Sequence, residues 1–126
     1  MSPDQPQTIA DRALRSSCPV AGALDLVGDK WTLLVVRDLL RGKRRYGDFA
    51  SSSEHIPTNI LAERLRRLEQ AGIVERVRYS ERPPRYEYRL TPCGQDLQPA
   101  IRALAAWGVR YVDGTRMPPD VAETAT

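Results

Sequence analysis

Apolar residues recur at helical spacing in several stretches of the chain. The segment at 30–40, KWTLLVVRDLL, is apolar on nearly every side and predicts a central buried helix. Asp29 is placed to begin this helix, and Gly42 to end it. The segment VAGALDLVG at 20–28 predicts a shorter helix, and YGDFASSS at 46–53 a short, weak one.

The segment at 58–73, TNILAERLRRLEQAGI, has one apolar and one polar side. Counting about 100° per residue, three leucines share the apolar side: Leu61, Leu65 and Leu68. The opposite side is the polar stripe, made of Asn59, Ala62, Glu63, Arg66 and Gln70. Since the leucines already account for packing, the polar stripe is free to meet a partner. Gly72 is expected to end the helix.

Two segments after this helix alternate in the manner of strands. They are IVERVRYS at 73–80 and RYEYRL at 85–90, joined by the loop ERPP. The alternation predicts one apolar face made of Val77, Tyr79, Tyr86, Tyr88 and Leu90. It predicts an opposite, solvent-facing side made of Arg76, Arg78, Arg85, Glu87 and Arg89. Four arginines beside one glutamate require a counter-charge or open water.

A long final helix is predicted from Thr91, which suits an N-cap because Pro92 follows it. Pro99 lies inside the predicted helix and is expected to kink it. Its apolar seam runs through Leu97, Ile101, Leu104, Gly108, Tyr111 and Val112.

The order of elements predicts a mainly α fold with a small β-hairpin, an α+β winged helix-turn-helix. In that motif the third compact helix enters the major groove, and the hairpin reaches the adjacent backbone or minor groove. The predicted domain spans residues 8–113. Residues 1–7 are expected to be disordered and residues 114–126 flexible.

Positive charge is concentrated in the middle of the 126-residue chain. Residues 41–89 hold twelve Lys or Arg against seven Asp or Glu, whereas the whole chain has a net charge of only +3. That distribution indicates a polyanionic partner, although a solvated basic surface is the alternative. No apolar run is long enough for a membrane span, and the first residues lack a secretory signal, so we expect a cytoplasmic protein. One histidine and two distant cysteines predict no metal site, and no cofactor is expected.

The polar stripe carries side chains that suit base reading. Asn59 can pair with adenine, Ala62 can touch a thymine methyl, and Arg66 can pair with guanine or hold a phosphate. Glu63 can accept from cytosine or only orient Arg67. The alternative for all of them is a solvated outer face.

Other residues suit contacts to the DNA backbone. Thr58 lies at the helix N-terminus, where backbone N–H groups attract phosphate. The remaining candidates are basic residues before the helix-turn-helix and on the wing: Lys43, Arg44, Arg45, Arg78, Arg82 and Arg85. Arg64 points toward the apolar side, so we expect its stem to pack and its head to find a carboxylate.

Six segments together resemble the HxlR-type transcriptional regulators, winged-helix relatives of the MarR group. They are CPV at 18–20, LDLVGDKWTLLVVRDLL at 24–40, RRYGDF at 44–49, ILAERLRRLEQAGIVER at 60–76, PPRYEYRLTPCG at 83–94 and LAAW at 104–107. The resemblance implies a homodimer on a pseudo-palindromic double-stranded DNA operator, usually acting as a repressor and sometimes as an activator. It also implies that helices within 8–27 and 92–113 build the dimer interface. The seam named above, from Leu97, Ile101 and Leu104 to Gly108 and Tyr111, agrees with that implication.

The same resemblance draws attention to Cys18, because several family members sense oxidants, quinones or aldehydes with a cysteine before this proline. It thus implies a small-molecule inducer or oxidant as a further partner. The position at a helix N-terminus, with Arg12 and Arg15 nearby, favours a thiolate. A small packed residue is the alternative. Cys93 does not belong to the family pattern, and a disulfide with Cys18 between subunits is a hypothesis.

Two other functions remain open from the sequence. A thiol enzyme would use Cys18 as nucleophile, but the only histidine, His55, lies far along the chain in the turn before the basic-faced helix. We therefore expect no enzyme activity. A winged helix used only to bind protein is the other alternative, and the outward arginines of the wing disfavour it.

Overall fold

The computed structural model describes residues 14–118, which form six helices and one two-stranded hairpin. In chain order they are α1 (Pro19–Val27), α2 (Thr32–Leu40), α3 (Tyr46–Ala50), α4 (Thr58–Gln70), β1 (Val74–Glu81), β2 (Pro84–Leu90), α5 (Pro92–Gln95) and α6 (Gln98–Tyr111). The predicted winged helix-turn-helix is confirmed. The predictions for residues 1–13 and 119–126 lie outside the described residues. No helix within residues 14–118 is long and apolar enough to cross a membrane.

The core lies where α2, α3 and α4 meet the base of the hairpin. Val36 and Leu39 of α2 are fully enclosed, as are Leu61 and Leu65 of α4 and Phe49 of α3. The apolar side predicted for α4 is therefore the side that packs. Because a helix buries only one stripe in this way, the residues opposite the leucines are left at the surface.

Local signals in the sequence set the ends of α2 and α4. Asp29 accepts hydrogen bonds from the backbone N–H groups of Trp31, at 3.1 Å, and Thr32, at 3.3 Å, as expected of a capping residue. Gly42 and Gly72 have φ values of 98° and 78°, a left-handed conformation that glycine adopts without strain. The predicted ends at Gly42 and Gly72 are confirmed. Asp29 caps the start of α2 with its side chain, but the helix begins later than predicted, at Thr32, with Trp31 in the N-cap position.

Asp29 also binds the helix that carries the polar stripe. Its Oδ2 atom accepts a hydrogen bond from Nε of Arg64 at 2.8 Å, and Glu63 lies 3.0 Å from Nη1 of the same guanidinium. The prediction that Arg64 packs its stem and pairs with a carboxylate is confirmed. One carboxylate thus caps α2 and holds α4 against it.

A second polar network ties α2 to the turn that precedes α4. Asp38 is almost completely buried and pairs with Arg37 at 2.9 Å, while Arg37 reaches Glu54 at 2.7 Å. The hydroxyl of Ser52 donates to Asp38 and accepts from Nζ of Lys43. Since buried charges are tolerated only when paired, this network fixes the turn relative to α2.

The register of the hairpin contradicts the predicted faces. Val74 pairs with Leu90, Arg76 with Tyr88 and Arg78 with Tyr86, so these residues share one face. Directly opposed residues in an antiparallel pair lie on the same side of the sheet. The Val74–Leu90 pair enters the core at the base of the hairpin and sets this alternation. Toward its tip the hairpin extends past the core, and there Arg76 and Arg78 lie on the same face as Val74.

The other hairpin predictions change accordingly. Val77 pairs with Glu87 on the face opposite Tyr86 and Tyr88, so the grouping of Val77 with those tyrosines was wrong. The single outer face of four arginines was wrong for the same reason. Tyr79 has no partner in the register, because the pairing is shifted between Arg78 and Ser80. Tyr88 does pack against the core, with its ring 6.3 Å from that of Phe49 in an edge-on arrangement.

The predicted long final helix is two helices. Thr91 caps α5 as expected, since its hydroxyl accepts from the backbone N–H of Gly94. Pro99 lies in the first turn of α6 rather than inside a continuous, kinked helix. Proline has no N–H to donate and its ring clashes with the carbonyl four residues earlier, which is that of Gln95, the last residue of α5.

We predict that the protein loses stability in acid through Asp29 and Glu54. Burial raises the pKa of Asp29, but hydrogen bonds from Thr32 and Arg64 outweigh it and hold that pKa at about 2 instead of 3.8. Arg37 lowers the pKa of Glu54 from 4.5 to about 2. Because both folded-state pKa values are depressed, their stabilisation is present above about pH 4.5 and is lost as the pH falls toward 2.

Urea unfolding followed by circular dichroism at several pH values measures this loss. Asp29→Asn combined with Glu54→Gln is expected to be less stable at neutral pH and to show a flatter dependence on pH. Glu81→Gln is the control, because the Glu81 side chain is 84% exposed. An unchanged slope in the double variant would contradict the assignment.

Candidate nucleic-acid interface

The polar stripe of α4 is open to solvent along its length. Asn59, Ala62, Glu63 and Arg66 are all exposed, as is Thr58 at the start of the helix. Within residues 14–118, Arg66 makes no ion pair or hydrogen bond, so its five N–H donors are all available to a ligand. Arg66 thus combines exposure, positive charge and an unused donor set at the centre of the stripe.

The neighbours of Arg66 are engaged within the helix. Glu63 lies 3.0 Å from Arg64 and 3.9 Å from Arg67, so its carboxylate serves Arg64 more than Arg67. The predicted spacing of Glu63 and Arg67 does bring them together, although the contact is long. Arg67 is half-buried at the flank of the stripe.

The N-terminus of α4 is fixed by an aromatic residue of α3. The hydroxyl of Tyr46 donates to the backbone carbonyl of Thr58 at 2.6 Å. Pro57 precedes the helix and has no N–H group of its own. The first N–H groups of α4 therefore start from a defined position at the protein surface, where a helix terminus attracts anions.

The three basic residues before α3 separate into two inward and one outward. Nζ of Lys43 donates to Ser52 at 2.7 Å, and Nη1 of Arg44 donates to the carbonyls of Leu39 and Lys43. Arg45 is exposed, and its guanidinium lies 4.2 Å from the centre of the Tyr79 ring. Of the three, Arg45 is the one presented at the surface, and it lies against the wing.

The wing carries cations of two kinds. Arg78 donates to the Tyr86 hydroxyl at 3.0 Å, which lowers the pKa of Tyr86, and Arg76 lies 4.3 Å from the centre of the same ring. Arg82 and Arg85, near the tip, are exposed and have no ion pair within the described chain. The wing tip therefore offers two free cations beyond a stacked, ordered pair.

The apolar seam predicted for the last helix divides in two. Leu97 and Ile101 pack against the core of the chain, whereas Leu104 and Tyr111 are 55% and 60% exposed. Gly108 lies between them, half-buried. Trp107, also 60% exposed, stands one turn before Tyr111 with the ring centres 5.5 Å apart. We call the residues Leu104, Trp107 and Tyr111 the exposed aromatic stripe.

Sequence reasoning left Trp107 out of the interface set. Its spacing of three residues from Leu104 and four from Tyr111 is the signal that could have found it. It likewise missed the Asp38 network, although the adjacent Arg37 and Asp38 in a mostly apolar helix mark buried charges that require partners.

Both cysteines in the described chain are free thiols. Cys18 is exposed at the N-cap of α1, and its N–H donates to the Ser16 hydroxyl at 3.2 Å. Arg15, expected near this thiol, pairs with Asp25 at 2.8 Å, and Arg12 lies outside the described residues. Cys93 is half-buried and packs against the core.

Comparison with known proteins agrees with this geometry. The HxlR-like helix-turn-helix family matches residues 26–116. Rv3095 of Mycobacterium tuberculosis, named an uncharacterized HTH-type transcriptional regulator, is 46% identical over 100 residues, which cover 79% of this chain and 63% of that protein. The chain thus spans less than two-thirds of that relative.

Two solved structures share the fold. The transcription factor PA1607 is similar with a TM-score of 0.72 and 40% identity, over 82% of this chain and 73% of that one. The reduced form of the redox regulator HypR is similar with a TM-score of 0.70 and 35% identity, over 76% of this chain and 95% of that one. With the family match over most of the described residues, the chain belongs to the HxlR-like helix-turn-helix family of transcriptional regulators.

Proposed function

We propose that the protein is a sequence-specific repressor that binds a pseudo-palindromic operator as a homodimer. The observation that carries the proposal is the exposed, unpaired guanidinium of Arg66 at the centre of the polar stripe, on a helix whose other side is fixed in the core. In a winged helix-turn-helix that stripe faces the major groove.

The residues of the polar stripe differ in the DNA base that each can contact. Arg66 has the donor geometry to read guanine, and Asn59, one residue after the start of α4, suits adenine. Ala62 stands between them and permits close approach. Glu63 is engaged with Arg64, so we assign it to holding the helix surface in order rather than to reading cytosine.

Backbone contacts are assigned mainly to exposed cations. Arg45 comes from the segment before α3, Arg82 and Arg85 from the wing tip, and Thr58 from the helix N-terminus. Arg78 and Arg67 stand beside them in partial ion pairs. Lys43 and Arg44 are less favoured for this role, because their donors are already used by Ser52 and by backbone carbonyls.

A homodimer is supported by the exposed aromatic stripe. Large apolar side chains that stand together at a surface mark an interaction site, and tryptophan and tyrosine are enriched at interface centres. A second copy offers the same stripe and satisfies a two-fold axis. The two α4 helices would then meet half-sites separated by about 34 Å or a multiple of it.

A redox response through Cys18 is also proposed. The thiol is exposed, stands at the N-cap of α1, and is distant in sequence from the residues assigned to DNA. Similarity to the redox regulator HypR supports this part of the proposal.

We predict different losses for two arginine variants once an operator has been selected from a random pool of duplexes. Arg66→Ala is expected to lose about 1–3 kcal/mol of preference for the operator over a scrambled duplex, because base contacts carry the specificity. Arg82→Ala is expected to weaken both duplexes alike and to reduce the slope of log affinity against log salt by about one. Fluorescence anisotropy at several salt concentrations measures both quantities.

Arg116→Ala removes an equal charge outside the assigned interface and serves as the control. The wild-type affinity should fall about a thousandfold or more between about 50 and 200 mM salt, given six or more phosphate contacts. If Arg66→Ala and Arg82→Ala weakened operator and scrambled duplex equally, Arg66 would not be a base-reading residue.

We predict that Trp107→Asp weakens dimerisation by about 2 kcal/mol or more, because it places a charge at the centre of the exposed aromatic stripe. Val109→Asp is the matched control, since Val109 is an exposed apolar residue about 200° around the same helix. Analytical ultracentrifugation measures the dissociation constant, and circular dichroism checks the fold. A Trp107→Asp protein that dimerised as well as Val109→Asp would place the interface elsewhere.

We predict that an oxidant such as diamide changes operator affinity in the wild type and in Cys93→Ser, but not in Cys18→Ser. Oxidation acts on an exposed thiol before a half-buried one. Anisotropy measured before and after treatment, and again after reduction with dithiothreitol, records the change and its reversal. A full response in Cys18→Ser would reject Cys18 as the sensor.

A further inference from the structure

A cleft of about 440 Å³ lies behind the hairpin, away from the polar stripe of α4. It is bounded by the end of α2, the base of the hairpin and the junction of α5 with α6. Its walls include Leu39, Arg44, Arg89, Leu90, Gln95 and Gln98. Sites for small organic ligands commonly enclose about 300–1,000 Å³, so the size is suitable for one.

The polar side of the cleft consists mainly of hydrogen-bond donors. Arg44 is half-buried and makes both of its side-chain hydrogen bonds through Nη1, to the carbonyls of Leu39 and Lys43. Within residues 14–118 its Nε and Nη2 atoms have no acceptor. Arg89 is about half exposed and donates from Nη2 to Glu87 at 3.2 Å. The amides of Gln95 and Gln98 can each donate or accept.

One acidic residue limits what the cleft can hold. Glu75 also lines it and stands directly opposite Arg89 in the hairpin register. Among the residues that line the cleft, two guanidinium groups and one carboxylate leave a formal charge of +1; Glu87, which binds Arg89, is not part of the lining. A single negative charge is therefore balanced, whereas a second one would face Glu75 without compensation.

We propose that this cleft binds a small organic monoanion, a carboxylate attached to an apolar body. The carboxylate is held by Arg44 and Arg89, because a guanidinium matches a carboxylate in geometry and charge. The apolar body lies against Leu40 and Leu90, which both line the cleft and are half-buried. The side-chain amides of Gln95 and Gln98 donate to the same carboxylate.

The cleft is positioned to act on the wing. Arg89 and Leu90 end β2, and the N–H of Tyr88 donates to the carbonyl of Arg44 at 2.7 Å, so one wall joins the hairpin to the segment after α2. Gln98 begins α6, which carries the exposed aromatic stripe. A ligand held between them would bias the wing relative to α6. This consequence for DNA affinity rests on the proposed function, but the binding itself does not.

Titration of the ¹⁵N-labelled full chain with 3-phenylpropanoate, followed by NMR, tests the binding without any DNA. Backbone signals of Arg89, Gln95 and Gln98 are expected to shift with a dissociation constant of about 1 mM or tighter. The neutral analogue 3-phenylpropanamide should bind at least about tenfold more weakly, because it lacks the charge that the guanidinium groups select.

Two variants locate the site. Arg89→Gln and, separately, Gln98→Leu are each expected to weaken 3-phenylpropanoate binding, the first by about tenfold. Arg116→Gln, an equal change of charge outside the cleft, should bind as the wild type does. The NMR spectrum of each variant reports directly whether it is folded.

Four outcomes would overturn the proposal: no shifts at saturating probe, shifts centred on the exposed aromatic stripe, equal binding of the amide, or unchanged binding in both cleft variants. A failure of operator binding in the anisotropy experiments would leave the titration result standing, so the two proposals fail separately.

Discussion

The orientation of α4 depends on the carboxylate of Asp29. This carboxylate accepts hydrogen bonds from backbone N–H groups at the start of α2, and it also accepts one from Arg64 of α4 at 2.8 Å. The leucine side of α4 packs into the core between the two helices. Hydrophobic packing alone fixes how deeply a helix is buried but leaves its rotation and sliding less defined. A charge-assisted hydrogen bond between two defined atoms removes that freedom. The polar stripe is therefore presented in one direction.

The basic residues of the central segment, residues 41–89, fall into two groups: some bond to other groups of the protein, and others are exposed. Lys43, Arg44 and Arg64 bond to a hydroxyl, carbonyls or a carboxylate of the protein itself. Arg66, Arg82 and Arg85 stand in solvent with their donors unused by the described chain. A net charge counted along the sequence cannot separate these groups, because the partners of the inward cations are brought together only by folding. The outward group is smaller than the charge count suggests, and it is concentrated on α4 and the wing tip.

The sequence alone predicted the structure correctly where the deciding interaction is local. Asp29, Gly42 and Gly72 mark helix ends through backbone geometry that each residue itself dictates, and the leucines of α4 recur at one period. The sequence alone did not predict the structure correctly where a contact between residues distant in the chain determines it. The hairpin faces follow from the docking of Val74 with Leu90 at the base, against the alternation of Val77 and Tyr79. The position of Pro99 was visible, but whether it bends one helix or separates two depends on packing around Leu97 and Ile101.

The first half of helix α6 packs against the core of the chain, whereas the second half is largely exposed. Leu97 and Ile101 are needed for the core, whereas Leu104, Trp107 and Tyr111 can be exchanged without opening it. Mutation can therefore redesign the last two turns while the fold stays intact. Under the proposed homodimer, this freedom allows each of several related chains in one cell to diverge in the subunit with which it pairs, so that duplicated genes can become insulated from one another.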